Sequence, residues 1–455
     1  MHVLKKRLKL EKECKMLKQE NAERFRSLLT AVYGPNAPLQ CRARLEAEIL
    51  EFSKPLVDEI DLTLELKKAA REQGCIIDIK ADYGASLIYF LTGCSNINPL
   101  QPHYFCPVCK RTVFVDTVED GWDLPVRYCC GSAPMMREGH AIPLEIIKEH
   151  ANDKKPSTEY YVPESFMPMA KHVVQSYYGD KWLVVPYLTE LERDGEAIVN
   201  DKYRIVSSIP PDHPELHLVL LPPESGMPEL DENGIWQTTF QTFRDNDYRK
   251  IIFSRSTNNE ILADLSAKHS LLPAISDLLN ESVFEMVSDM LDEYIQEMDC
   301  IQPLEDRLTF STLLRKKAFL HDEHIEDNPA MQDDGVRFSD FFSCREDVWK
   351  LLDNTIPMET DSRQVLIERI TDRARKGMFA EGRMSQATEQ MLRDFGISEH
   401  WILQMKHIRY LRPKASLINE TLNNLYYMWF MMQDSTNGDN IEEESPDDDS
   451  IPFAS

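Results

Sequence analysis

Near residue 260 the amino-acid pattern changes, and this change constrains the fold more than any other feature. Before it, short apolar runs bounded by turn residues read as strands: Trp182–Pro186, Leu216–Leu221 and Arg249–Ser254. After it, from about Glu260 to Gln433, apolar residues recur at helical spacing, with breaks near Gly335, Pro357 and Pro413. Strands first and helices second predict an α+β protein rather than an alternating one. Upstream, residues 1–30 are rich in Lys, Glu, Arg and Leu and hold no Gly or Pro, so the spacing predicts an amphipathic helix that Gly34-Pro35-Asn36 ends. A second helix is expected over about Leu45–Gly74, and residues 75–91 read as strand, tight turn and helix.

Composition narrows the class. The 455 residues are 42% hydrophobic and 28% charged, which fits a globular chain with a sizeable core. No apolar run approaches the ~20 residues that span a bilayer, and Met1-His2-Val3-Leu4-Lys5-Lys6-Arg7 is followed by no secretory apolar region. A cytoplasmic location without membrane partners is expected, and the ten Cys read as free thiols in a reducing compartment. Net charge is −26, from 77 acids against 51 bases. Eight acids and no base lie between Asp434 and Asp449, leaving about −18 for the rest. Such a chain repels polyanions at long range, so a nucleic-acid surface requires a local basic patch.

One segment reads Asn98-Pro99-Leu100-Gln101-Pro102-His103-Tyr104-Phe105-Cys106-Pro107-Val108-Cys109. Further stretches follow in order: Trp122-Asp123-Leu124-Pro125, Gly139-His140-Ala141-Ile142-Pro143, Trp236-Gln237-Thr238-Thr239, Ser343-Cys344-Arg345-Glu346-Asp347-Val348 and Tyr410-Leu411-Arg412-Pro413-Lys414-Ala415. Together they resemble the palm and fingers part of the PolC-type alpha subunit of bacterial DNA polymerase III, over roughly residues 44–430. The residue pattern gives a charged N-terminal helix at 1–43, and the resemblance implies a palm-like region with a mixed sheet at 44–265, carrying a small Cys module at 94–135. It further implies a helical fingers-like region at 266–433, after which the acidic composition gives a disordered tail at 434–455.

Nucleotidyl transfer needs carboxylates that hold two Mg²⁺ ions about 3.5–4 Å apart. The resemblance assigns this work to an Asp-x-Asp after a proline and to a third Asp on a neighbouring strand. In this chain those positions are Ser157, Glu159 and Ile252. A hydroxyl carries no charge and an isoleucine ligates nothing, so no catalytic residue is expected, and Mg²⁺ enters only if the chain is active. The family's Gly-Ser-rich phosphate loop corresponds to Asp78–Ser86, where Gly84 and Ser86 remain, Lys80 stands in place of Arg, and Asp78 and Asp82 add negative charge. Phe319-Leu320-His321 keeps the family's His and loses its Gly.

Cys106 and Cys109 form one Cys-x₂-Cys half of a zinc knuckle, and Cys129-Cys130 stands where the family has a second pair. Three outcomes are open: four thiolates on one structural Zn²⁺, three with water or His140, or a lost site. The segment Asp447-Asp448-Asp449-Ser450-Ile451-Pro452-Phe453 is similar to the acidic tip of single-stranded-DNA-binding proteins and offers a contact for replisome proteins, against the plainer reading of a solubilising tail. Three functional readings follow. One is a degenerate homologue that binds primer–template DNA, replisome proteins or both. Another is an active, divergent polymerase using Glu159 with Asp153, Asp245 or Asp247, and the last is an interaction protein with no nucleic-acid role.

Overall fold

The structure, a computed structural model, describes residues 20–51, 54–79, 85–144, 157–179, 181–189, 199–200, 203–204, 215–239, 242, 248–298, 303, 307–321, 328, 336–360 and 362–436. The chain divides into two compact units. One comprises Met1–Ala31, Arg42–Asn96 and Ile147–Leu272; the other comprises Val32–Cys41, Ile97–Ile146 and Pro273–Ser455. Helix α1 covers 20–33, the described part of the expected N-terminal helix.

The first unit is built on a six-stranded mixed sheet. Its strands are β1 (Asp78–Ile79), β5 (Ser157–Val162), β6 (Leu183–Thr189), β9 (Glu215–Leu221), β10 (Trp236–Thr238) and β11 (Arg249–Arg255), in the order β1-β5-β11-β9-β6-β10. The three strands legible as apolar runs are β6, β9 and β11, which lie side by side. β11 runs parallel to β5 and antiparallel to β9. Alternation sorts the side chains. Thr158, Tyr160 and Val162 of β5 and Ile251 and Phe253 of β11 are all buried on one face, where the Tyr160 and Phe253 rings stack at 5.2 Å. Helices α2 (Leu39–Glu51), α3 (Lys54–Glu72), α4 (Leu87–Thr92), α5 (Met167–Tyr178) and α6 (Thr257–His269) complete the unit.

Polar ties pin α3 and α5 to the sheet's buried face. The hydroxyls of Thr63 and Tyr160 lie 2.8 Å apart. The Arg249 guanidinium is 3.3 Å from buried Glu59 and 5.6 Å from the centre of the Tyr178 ring. Burial raises the Glu59 carboxyl and Arg249 pulls it back, so the pair is worth keeping mainly because breaking it strands a buried charge.

The second unit joins a small sheet to a helical body. Strands β2 (His103–Phe105), β3 (Thr112–Phe114) and β4 (Met136–Glu138) pair antiparallel in the order β3-β2-β4. The helical body contains α7 (Ile275–Leu278), α8 (Glu281–Glu297), α9 (Phe310–Leu320), α10 (Arg345–Thr355), α11 (Arg363–Arg375), α12 (Gln386–Asp394), α13 (Glu399–His407) and α14 (Lys414–Thr436). Asn280, Thr309 and Ser385 cap their helices by accepting a backbone N–H three residues on, which sets where each starts. Val348, Leu352, Ile367, Ile370, Leu392 and Ile402 build one apolar core across α10–α13. The breaks expected at Pro357 and Pro413 fall between helices; Gly335 lies outside the described residues. In the first unit β7 (Val199–Asn200) and β8 (Tyr203–Arg204) form a separate two-stranded ribbon.

Candidate functional site

The register of β5 and β11 decides what the sheet can offer chemically. Glu159 lies directly opposite Ile252, and Ser157 lies opposite Lys250. Across the next strand Ile252 faces His217 and Lys250 faces Val219. Cross-strand partners share a face, so Glu159, Ile252, Lys250 and His217 stand together on the side away from α3 and α5. Ser254 donates to a Glu159 carboxylate oxygen at 3.3 Å. The Lys250 ammonium sits 5.6 Å from the Tyr187 ring centre, and Tyr187 meets His217 edge-on. Val185, Tyr187, Val219 and Leu221 extend this face as an apolar cluster. Asp153, Asp245 and Asp247, the alternative acids, lie outside the described residues.

In the stretch matching the phosphate loop, Ser86 caps α4, while Lys80, Asp82 and Gly84 lie outside the described residues. The α4 terminus is filled by a buried carboxylate. Glu48 accepts from the backbone N–H of Leu87 at 2.9 Å and of Ile88 at 3.0 Å, and from the Ser86 hydroxyl at 2.7 Å. Arg44 donates to the same carboxylate at 2.6 Å. The donors a phosphate would seek at this terminus are thus taken by the protein. Asp78 accepts from Asn259 at 3.3 Å.

The four module cysteines converge. Sulfur atoms of Cys106, Cys109, Cys129 and Cys130 all lie within 4.8 Å of one another, and all four are free thiols. Among the described residues this is the one group of three or more His, Cys, Asp or Glu arranged to hold a metal ion. Cys109 and Cys129 sulfurs are 3.6 Å apart, and those of the adjacent Cys129 and Cys130 are 3.9 Å apart. Metal–sulfur bonds of about 2.3 Å at tetrahedral angles separate sulfurs by about 3.8 Å. Adjacent cysteines therefore reach one centre. Hairpin β2–β3 makes the knuckle turn: Lys110 adopts φ 62 and its N–H donates to the Cys106 carbonyl at 2.9 Å. Backbone N–H groups of Cys109 and Val108 lower the Cys106 thiol to about 7, whereas hydrogen bonding with Cys109 and Cys106 pushes Cys130 up to about 12. Four crowded sulfurs resist joint ionisation, which a dication would relieve.

His140 takes a different place from that of a fourth metal ligand. It is fully buried, its Nδ1 is 2.9 Å from Asp120, and its ring meets Trp122 edge-on. Lys414 donates to the His140 carbonyl at 2.8 Å and lies 3.1 Å from Asp120. Glu346 accepts the Lys414 backbone N–H at 2.7 Å, and the Arg345 N–H donates to the Arg412 carbonyl. Three of the motif stretches thus meet around one buried charge cluster in the second unit. Glycine permits it: a Cβ on Gly139 (φ 104) would lie 2.2 Å from the Gln101 carbonyl oxygen. A cavity of about 480 Å³ beside the cluster is lined by Arg315, Lys350, Lys414, Glu119, Glu346 and Asp347, among others. Its cations are engaged: Arg315 is 2.7 Å from Glu119, and Lys350 is 3.9 Å from it. His321 is bound to Glu420 at 2.8 Å, which also holds Arg412. None of this cluster was readable beforehand, because Lys414 and His140 are 274 residues apart and no local pattern links them.

The cluster yields a pH prediction. Burial would raise Asp120, yet His140 and Lys414 hold it far below the usual carboxylate range. Glu138 has no such partner: Oε2 bonds nothing among the described residues, and burial followed by Asp120 pushes its carboxyl from 4.5 up to about 8. Between those values the unfolded chain releases a proton that the folded chain keeps, so stability falls as pH rises. Glu138→Gln should remove this fall and gain at least about 1.4 kcal/mol over wild type at pH 8 relative to pH 5. Thermal unfolding at both pH values measures it, and an unchanged gap would refute the assignment.

Comparison with curated proteins finds PolC-type DNA polymerase III sequences among those similar to this chain. It is similar to the PolC-type DNA polymerase III of Thermotoga petrophila, at 25% identity over 462 residues, covering 88% of this chain and 33% of that protein. The Mycoplasma pneumoniae PolC-type protein is 22% identical over 468 residues, 88% of this chain and 31% of that one. That of Listeria welshimeri is 31% identical over 157 residues, 33% of this chain and 11% of that protein. The resemblance read from the motifs therefore extends over about 88% of the chain. The chain spans about a third of the length of these first two relatives. No family model matches it. Among the described residues, no helix is long and apolar enough to cross a membrane.

Proposed function

We propose that this chain is a palm-and-fingers homologue of the PolC-type alpha subunit that has lost nucleotidyl transfer and acts in DNA replication by binding primed DNA or replication proteins. The observation that supports it is the strand register: Ile252 opposite Glu159, and Lys250 opposite Ser157. Two-metal chemistry asks for carboxylates at the three matched positions; of these only Glu159 is one, beside the apolar Ile252 and the Lys250 ammonium. The same reading assigns the Cys quartet one structural Zn²⁺. Cys106, Cys109, Cys129 and Cys130 fit it by donor type and by sulfur spacing. The ion would neutralise crowded thiolates and tie the two arms of the module together.

DNA binding is tested with a fluorescent primed template. Saturable binding should weaken steeply with salt, by roughly tenfold or more between 50 and 200 mM, if even a few phosphates are contacted. It should be unaffected by Glu159→Gln. Absence of binding at low salt, in a protein that still captures replication proteins, would leave only the protein-binding half of the proposal; absence of both would overturn it.

A further inference from the structure

The tip of the Cys module carries a surface out of keeping with a chain of net charge −26. Val108, Val126 and Tyr128 are 65%, 56% and 61% exposed, and Met136 is exposed beside them in sequence and sheet. Val108 lies inside the knuckle turn, Tyr128 precedes Cys129, and Met136 pairs with Phe105 next to Cys106. Lys110, Arg111 and Arg127 are interleaved with them, and none forms an ion pair among the described residues. Arg127 lies 5.6 Å from the Tyr104 ring centre, which orients its guanidinium without neutralising it. Neither Cys106–Val115 nor Leu124–Arg137 contains an acid. A divalent ion held by four thiolates would add −2 at the base; Lys110, Arg111, Arg127 and Arg137 still leave the tip positive.

We propose that this tip is the docking site of the chain's own segment Glu442–Phe453. The segment offers the complementary chemistry in the required order: Glu442, Glu443, Glu444, Asp447, Asp448 and Asp449 for the cations, then Ile451, Pro452 and Phe453 for the apolar side chains. Helix α14 ends at Thr436 in the same unit as the module. The eleven residues from there to Asp447 reach about 36 Å at ~3.3 Å per residue. A compact body of about 240 residues has a radius of gyration of about 18 Å, equivalent to a sphere about 46 Å across, so the reach spans most of such a body. Exposed ion pairs and a few apolar contacts bind weakly, but tethering raises the effective concentration to about millimolar, so an affinity of roughly 100 µM keeps the segment docked. Nucleic acid meets the same patch at a disadvantage, because the remainder of the chain is strongly acidic. The docked segment is then an internal competitor for any polyanion at this surface. The proposal is independent of whether the sheet is catalytic.

A fluorescein-labelled peptide of residues 437–455 tests it by anisotropy. One full chain is wild type; another carries Asp447→Asn, Asp448→Asn, Asp449→Asn and Phe453→Ala, which disarm its own segment. The peptide should bind the disarmed chain at least tenfold more tightly than wild type. Adding Lys110→Glu, Arg111→Glu and Arg127→Glu should abolish binding, and Tyr128→Ala, which leaves every charge in place, should weaken it severalfold. No saturable binding to the disarmed chain, or equal binding after charge reversal in a protein with native circular dichroism, overturns the proposal. So does a labelled oligothymidylate that binds the tip and that excess peptide fails to displace, a result that would assign the surface to nucleic acid.

Discussion

Purified under reducing conditions, the protein should contain about one zinc ion per chain, and its removal by a strong chelator should lower the stability of the second unit. The ion would bind only the folded arrangement, so at a free concentration a thousandfold above its dissociation constant it contributes about 4 kcal/mol. Cys106→Ser should abolish bound zinc, since Cys106 is the buried thiol whose ionisation backbone N–H groups already favour. Cys129→Ser and Cys130→Ser separate the geometries. If all four sulfurs ligate, each substitution costs most of the affinity; if three ligate with a water, one of the two is dispensable. Elemental analysis and thermal unfolding with and without chelator make the measurement. Zinc near zero in native protein, with Cys106→Ser changing stability by less than about 1 kcal/mol, would mark the quartet as four leftover turn cysteines.

Which parts of this molecule were legible follows from the range of the forces involved. β9 was readable because a strand buried among neighbours must be apolar almost throughout, and Leu216–Leu221 is. The meeting of the cysteines was readable because few other arrangements bring such residues together. The helix expected over Leu45–Gly74 begins earlier in the structure: α2 starts at Leu39 and α3 ends at Glu72. No Ser, Thr, Asp or Asn cap precedes Leu39 to announce it. Least legible were long-range polar ties. Glu48 at the start of α4, Glu59 beside Arg249, and Lys414 on Asp120 each join residues tens to hundreds of positions apart. Their sequences look like ordinary charged helix or loop positions. Hydrophobic period identifies which face is buried but carries no information about which buried charge another will find. His140 shows the consequence: it stood among the open ligand choices for the Cys module, whereas Asp120, twenty residues before it, holds its ring.

With Mg²⁺, all four deoxynucleoside triphosphates and a primed template, the unmodified protein should leave the primer at its starting length. Mg²⁺ requires hard oxygen ligands in near-octahedral geometry, and two such ions close together require several negative charges between them. On this face Glu159 is bonded by the Ser254 hydroxyl, Ile252 offers only hydrocarbon, and Lys250 brings positive charge opposite Ser157. Removing one group that stabilises developing charge typically costs about 10²–10³ in rate, so the loss of two metal ligands reaches roughly 10⁴-fold or more. Ile252→Asp alone should not restore extension, because the added carboxylate gains only Glu159 opposite it, while Ser157 stays uncharged opposite the Lys250 ammonium. Ser157→Asp, Glu159→Asp, Ile252→Asp and Lys250→Ala together should restore Mg²⁺ affinity, read by calorimetry, more readily than turnover. The sequence matching the phosphate loop would still carry Asp78 and Asp82, and the donors at the start of α4 remain taken by Glu48. Robust extension by the wild-type chain, abolished by Glu159→Ala with the fold intact, would overturn the non-catalytic reading and make Glu159 the centre of a rebuilt metal site.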